Sequence, residues 1–264
     1  MNAHDDVLNA VILAREDPTE RLLILHVRPD AGRVADFEPG QFVQIGLPHD
    51  EPGEPGARVR VHKRSYSIAS SPHAPESVEL CIARVESGRF TPTLWALRAG
   101  DRVWMDPVPR GHFVLGRVAA EKELVFVATG TGIAPYVSML RRWGPGERWS
   151  RATLVHGVRQ PDELVYRAEL EARARRDASF VYVPAVSRAP AMSGWSGLSG
   201  HVQFALEPER FVELTGRPLD PARCHVFLCG NPNMIRDVRA ELEPRGFKTD
   251  TVREPGTLHF EKYW

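Results

Sequence analysis

The chain has 264 residues, enough for two domains of ordinary size. Its 42% hydrophobic content is that of a globular protein, no apolar run approaches a membrane span, and a formal net charge of zero argues against general nucleic-acid binding. The polar, acidic start Met1 to Asp6 does not read as a signal peptide. Three scattered cysteines (Cys81, Cys224, Cys229) suit neither an iron–sulfur cluster nor a zinc site, so a reducing cytoplasmic setting and no metal are expected.

The first half reads as short strands. Residues 7–14, 22–27 and 42–47 are apolar or alternating runs bounded by Asp-Pro, Pro-Asp and Pro-Gly. Residues 48–57, rich in Pro, Gly and acid, read as an exposed loop, and further strands are expected over 59–69, 78–85, 102–106 and 112–115. Strand after strand with one helix candidate predicts an antiparallel β-barrel. Within 59–69 stand Arg64-Ser65-Tyr66-Ser67: a cation, a flat ring and a hydroxyl. Strand alternation sends Arg64 and Tyr66 to one face and Ser67 to the other, unless the strand bends. That set suits a ligand with a pyrophosphate and a planar ring; an amphipathic strand with an edge tyrosine would carry the same four residues. The helix candidate follows Ser87-Gly88-Arg89-Phe90, with Thr91 as N-cap, Pro92 at the first helical position and Gly100 as the stop. Its start is a default anion site, ready to share a phosphate with Arg64.

After a linker at 116–123 the period changes. Residues 124–129 are a continuous apolar run, as expected of a parallel strand buried on both faces. A Gly-rich turn, Gly130-Thr131-Gly132-Ile133-Ala134-Pro135, leads to a helix over 136–142. Strands over 153–158, 180–186 and 225–229, helices over 163–176 and 232–242, and an edge strand over 248–252 complete an α/β doubly wound parallel sheet. The turn matches G-x-G, but Pro135 replaces the third glycine of the dinucleotide fingerprint. No acid ends the second strand; Arg159 does, and the third ends in Ser187-Arg188. Those residues favour a 2′-phosphate, hence NADP(H) over NAD(H), unless they are ordinary surface arginines.

The ordered set Pro39-Gly40-Gln41-Phe42, Arg64-Ser65-Tyr66-Ser67, Gly130 to Pro135, Cys229-Gly230-Asn231-Pro232 and the closing Glu261-Lys262-Tyr263-Trp264 resembles the ferredoxin–NADP+ reductase superfamily, within it the bacterial ferredoxin/flavodoxin–NADP+ reductases. The resemblance implies a Greek-key FAD-binding barrel over residues 1–117 and an NADP(H)-binding α/β domain over 118–264, with the C-terminal tail returning to the flavin. For FAD it implies Arg64, Ser65, Tyr66 and Ser67, the strand Cys81, Ile82, Ala83 and Arg84, the turn Arg89, Phe90 and Thr91, and also Thr131, Tyr263 and Trp264. For NADP it implies Gly130, Gly132, Arg159, Ser187, Arg188, Gly230 and Asn231. Ser67, Cys229, Glu261 and Tyr263 take the catalytic positions, with Tyr263 stacked where nicotinamide must land. Glu261 either orients the nicotinamide or relays a proton, or is an exposed tail acid.

One segment departs from the family pattern. Leu198-Ser199-Gly200-His201 stands where an arginine often adds a second clamp on the 2′-phosphate. A neutral histidine there weakens the NADP preference, and a charged one makes it depend on pH. Ferredoxin or flavodoxin is the implied electron partner, and Arg58, Arg60, Lys63, Arg89, Arg98, Arg102 and Arg110 offer a basic face for an acidic protein, or else are scattered and balanced by acids elsewhere. A monomer without membrane or nucleic-acid partners is expected. The alternative is an NAD(P)H-dependent flavin or oxygenase reductase of the same superfamily.

Overall fold

The computed structural model describes residues 7–49, 60–144, 146–190 and 194–263. Two compact units result: Met1–Val114 with Ala134–Arg142, and Leu115–Ile133 with Trp143–Trp264.

In the first unit, β1 (Ala10–Thr19), β2 (Leu22–Pro29), β3 (Phe42–His49), β4 (Arg60–Ser67), β5 (Val78–Ala83) and β6 (Arg102–Met105) form one antiparallel sheet in the order β4-β3-β6-β1-β2-β5. β6 returns to lie between β3 and β1, pairing Ile45 with Met105 and Ala10 with Val103, which makes the path a Greek key. A bridge between Ile68 and Leu80 ties the end of β4 to β5 and closes the barrel. Alternation supplies its core: Leu23, Leu25, Val43, Ile45, Leu80, Ile82, Val103 and Met105 all point inward. Helix α1 (Phe90–Trp95) adds Phe90 and Leu94, one turn apart, to that core.

Two expectations for this half need correction. Residues 112–115 form no strand. The backbone pairs only at Arg110 with Phe42, and Phe113 and Leu115 are buried as single anchors of an irregular segment. Nor is Thr91 an N-cap. Its hydroxyl accepts from Val85 N at 2.9 Å and donates to Val85 O at 3.0 Å, so it is spent on closing the loop before the helix. Arg89 occupies the cap position with no side-chain capping bond, and Pro92 falls third in the helix.

In the second unit, β7 (Glu123–Thr129), β8 (Arg151–Val158), β9 (Phe180–Val186), β10 (Leu198–Ser199), β11 (Cys224–Gly230) and β12 (Leu258–Lys262) form a parallel sheet in the order β10-β9-β8-β7-β11-β12. The chain winds outward from β7 on one side and restarts with β11 on the other, so the switch point lies between β7 and β11. Both faces are covered. Val125, Val127, Val155, Val226 and Leu228 pack with α4 (Pro208–Thr215) and α5 (Pro232–Leu242) on one face. Phe126, Phe227 and Trp149 meet on the other, where Arg173 of α3 (Arg167–Arg176) lies over Trp149 and Phe180.

Helix α3 begins four residues later than expected, because Pro161–Glu163 forms a separate 3-10 turn and Tyr166 takes a left-handed conformation at φ 62°. The edge strand is β12, not residues 248–252, which contribute one bridge, Thr249 to Leu258. Asp250 accepts from Gly256 N at 2.9 Å and the Thr251 hydroxyl from Glu254 N at 2.9 Å, so that stretch turns back on itself. Helix α4 and the two-residue β10 were not foreseen.

Helix α2 (Ala134–Arg142) follows the Gly-rich turn in sequence but packs in the barrel unit. Ser138 donates to Ser70 O at 2.7 Å, and Arg141 reaches Ala69 O at 3.1 Å and the Glu79 carboxylate at 2.8 Å. Among the described residues no helix is long and apolar enough to cross a membrane, and no group of three or more His, Cys, Asp or Glu is placed to hold a metal ion.

Candidate active site

In the barrel unit, the β3–β4 register runs from Phe42 opposite Ser67 to Ile45 opposite Arg64, and alternation puts His62, Arg64 and Tyr66 on one face of β4. All three converge on Phe90 of α1. The His62 ring stands edge-on at 5.6 Å, the Tyr66 ring lies at 6.3 Å tilted by 35°, and the Arg64 guanidinium carbon is 6.0 Å from the ring centre. Arg64 is exposed and donates to Lys63 O at 2.8 Å, which leaves a cation at the surface beside the first helical residue. Burial pushes the Tyr66 hydroxyl up, against a smaller pull from Arg64, so it stays a neutral phenol. Ser65 is exposed and Ser67 buried at 4%.

On β5, Ile82 faces the barrel core and Cys81 stands outside that cluster. Ala83 is half-buried, and the exposed Arg84 has its guanidinium 5.9 Å from the Trp95 ring. Ile82 is therefore available to a ligand through its backbone alone. Arg89 is exposed, Phe90 buried, and Thr91 locks the loop that presents them. A six-residue helix has little macrodipole; positive charge at this place comes from Arg64 and Arg89.

In the parallel unit, the turn after β7 (Gly130–Ile133) and the turn after β11 meet at the switch point. The Thr129 hydroxyl accepts from Asn231 N at 2.8 Å, and the Asn231 side chain caps α5 by accepting from Asn233 N at 2.8 Å. A side chain at Gly132 would overlap the Cys229 carbonyl oxygen and stand 2.9 Å from Gly230 Cα, so two backbones touch there and only glycine fits. Gly230 has φ +128°, a second glycine requirement. Thr131 is buried within the turn.

Cys229, Glu261 and Tyr263 are brought together. Cys229 pairs with Glu261 in the β11–β12 register, and Tyr263 N donates to Gly230 O at 3.1 Å. Complete burial drives the Cys229 thiol well above its ordinary range; the Glu261 charge adds to this and the Tyr263 hydroxyl opposes it. Cys229 is thus a packed thiol and not a nucleophile. Arg159, Ser187 and Arg188 also meet, at the adjoining ends of β8 and β9. Ser187 N donates to Val158 O at 3.0 Å and Arg188 N to Arg159 O at 2.9 Å. The Ser187 hydroxyl donates to Val158 O at 3.2 Å, and Glu163 accepts from Arg159 N at 2.9 Å. Both arginines are exposed. Gly200 N donates to Val186 O at 2.9 Å, which places the exposed His201 on the same rim.

Trp264 and Arg58 lie outside the described residues. Of the basic residues on the barrel, Arg102 binds Asp30 at 2.8 Å, Arg110 pairs with Asp106 at 3.3 Å, and Lys63 sits 3.5 Å over the Trp104 ring. Those three have partners within the barrel, and all six described basic residues, Arg60, Arg89 and Arg98 included, are exposed. Three residues of the parallel unit carry polar contacts beside these turns without having been singled out in the sequence: Thr129, His156 and Tyr182. The signal for His156 was present, an imidazole in the middle of a largely apolar parallel strand.

Residues 126–240 match a family model described as an oxidoreductase NAD-binding domain. The chain is 33% identical over 232 residues to the flavodoxin/ferredoxin–NADP reductase of Escherichia coli K12, covering 88% of this chain and 89% of that protein. It is 38% identical over 208 residues to ferredoxin–NADP reductase B of Sorangium cellulosum, covering 79% and 80%. Among solved structures, a ferredoxin NADP+ reductase from Neisseria gonorrhoeae with bound FAD and NADP aligns at a TM-score of 0.83 and 27% identity, over 97% of this chain and 98% of that one.

Proposed function

The chain belongs to the flavodoxin/ferredoxin–NADP reductase family, and on that premise we propose that it is an FAD-dependent oxidoreductase moving electrons between NADP(H) and a ferredoxin or flavodoxin. The observation that carries the reading is that each unit, taken by itself, presents a phosphate-grade site of a different kind. The barrel offers Arg64, Arg89 and the first amides of α1 beside the Tyr66 ring, a donor set that fits a pyrophosphate joined to a flat ring system. The parallel sheet offers glycine backbone at its switch point and two exposed arginines at neighbouring strand ends. That set fits a dinucleotide carrying an extra phosphate.

Residues 1–117 hold FAD in this reading and residues 118–264 hold NADP(H). Bound FAD supplies the hydride and single-electron chemistry, which no amino-acid side chain provides. The protein's own share is positioning and exclusion of water. Arg64 and the Arg89–Thr91 turn neutralise the FAD pyrophosphate. Tyr66 packs against the flavin as a neutral ring, and Ser67 hydrogen-bonds the flavin. Strand residues Cys81 to Arg84 follow the cofactor, Ile82 through its backbone only. Gly130, Gly132, Gly230 and Asn231 leave room for the NADP backbone, and Arg159, Ser187 and Arg188 select the 2′-phosphate. Thr131, Cys229, Glu261, Tyr263 and Trp264 serve the nicotinamide and flavin rings, with Tyr263 as a gate. The enzyme acts as a cytoplasmic monomer on an acidic electron-transfer protein.

A second reading, an NAD(P)H-dependent flavin or oxygenase reductase, is favoured by one observation: His201, not an arginine, stands on the rim beside Ser187. Turnover of NADPH and NADH by the purified protein, with a ferredoxin and a flavodoxin as acceptors, separates the two. NADPH preference with either acceptor supports the first reading. Equal use of NADH, or transfer to free flavin alone, moves the chain to the second.

A further inference from the structure

His156 is fully buried in β8, one residue before the glycine that lets the strand pass Val202. A leucine would fill the same place among apolar neighbours without the cost of desolvating two ring nitrogens. Both nitrogens instead have partners. Nε2 lies 3.1 Å from the carbonyl oxygen of Gly130, and Nδ1 lies 3.4 Å from the Tyr182 hydroxyl on β9. A carbonyl only accepts, so Nε2 carries the proton and donates, and Nδ1 is left to accept from Tyr182. Gly130 is the first residue of the Gly-rich turn and sits at φ +54°. In a trans peptide the carbonyl and the next N–H point in opposite directions, and no peptide in the described chain is cis.

We infer that His156 is a positioning residue for the nucleotide: by holding the Gly130 carbonyl toward the sheet interior, it turns the Thr131 N–H outward as a fixed donor. Tyr182 sets the ring's tautomer from behind. The inference rests on the reading of this turn as part of the NADP(H) site. Burial lowers the His156 pKa to about 4, so the ring stays neutral and the donor in place throughout the neutral range.

The test uses the purified holoprotein and its variants His156→Leu, His156→Gln and Tyr182→Phe. NADP+ affinity is measured by calorimetry, KM and kcat for NADPH with a one-electron acceptor dye, and FAD content by absorbance. His156→Leu is expected to raise the NADP+ Kd and the NADPH KM about tenfold, the scale of one lost hydrogen bond, with full FAD content and kcat within about twofold. His156→Gln, whose amide N–H donates in its place, recovers most of the affinity, and Tyr182→Phe loses about twofold. A purely structural histidine would lower the melting temperature and leave Kd alone. Wild-type Kd in folded His156→Leu, or no recovery with glutamine, overturns the inference. Should the leucine variant not fold, His156→Asn, with its shorter amide, replaces it, and equal Kd for Asn and Gln overturns the inference as well. Wild-type protein without NADP+ affinity would bring down the nucleotide reading and this inference together; wild-type affinity carried unchanged into the leucine variant brings down the inference alone.

Discussion

The two proposed phosphate sites are built from opposite materials. The barrel's site is made of side chains: exposed Arg64 and Arg89 supply charge, and Tyr66 and Phe90 supply flat surface. The parallel sheet's site is made of backbone. There Gly132 passes against the Cys229 carbonyl, Thr129 ties down Asn231, and the arginines stand only at the rim. A side-chain site degrades by degrees when a residue is changed. A site made of touching backbones has no room to give, because every added atom must displace main chain.

That difference orders the expected effects. Gly132→Val forces a Cβ carrying two methyl groups against the Cys229–Gly230 backbone, and calorimetry should find NADP+ binding lost beyond about a hundredfold, with stability down by about 3 kcal/mol. FAD content should stay near normal; loss of FAD with NADP+ binding intact would break the contrast. Arg64→Ala removes charge-assisted bonds worth about 1.5–3 kcal/mol, so FAD in an ultrafiltrate should reveal a ten- to hundredfold weaker flavin affinity, with NADP+ affinity unmoved.

Acid should also strike the parallel unit selectively. Buried His156 and His259 both titrate near about 4, each lowered first by desolvation. Between that value and the ordinary 6.5, the unfolded chain binds the protons that the folded chain refuses. The associated stability is complete above pH 6.5 and is lost as pH falls toward 4, at about 1.4 kcal/mol per pH unit for each group. Urea midpoints at neutral and acidic pH measure the slope, and His156→Gln should flatten it by one proton. An unchanged slope would remove His156 from the account. The smallest effect belongs to the tail. Deleting Tyr263 and Trp264 takes away the side chain that hydrogen-bonds Cys229, and should tighten NADP+ binding about three- to tenfold and relax discrimination against NADH. Unchanged values for both would end the gate idea.

Much of this was legible in the sequence, for reasons that differ by region. The β7, β9 and β11 cores announce themselves because a strand covered on both faces must be apolar throughout. The Gly-rich turn after β7 was legible from its G-x-G spacing, although the contact of Gly132 with Cys229, nearly a hundred residues away, is a tertiary fact. Thr91 misled because a threonine before a proline has two uses for its hydroxyl, and closure of the Val85 loop won over helix capping. The apolar alternation at 112–115 misled because burial does not require pairing: Phe113 and Leu115 are anchored without a ladder. His156 was passed over because a histidine in a strand carries no label for what lies above its ring.

Helix α2 gives the molecule a further property. The chain enters the barrel unit's packing a second time at Ala134 and leaves it at Arg142, so the two units are interleaved along the sequence. A barrel excised at Val114 would lose Arg141, which reaches the Glu79 carboxylate at 2.8 Å and the Ala69 carbonyl at 3.1 Å, together with the Ser138 bond to Ser70 O at 2.7 Å. The halves of this chain are therefore poor candidates for modular exchange: a graft that swaps one nucleotide-binding half for another must carry or replace a nine-residue helix that belongs by sequence to one half and by packing to the other.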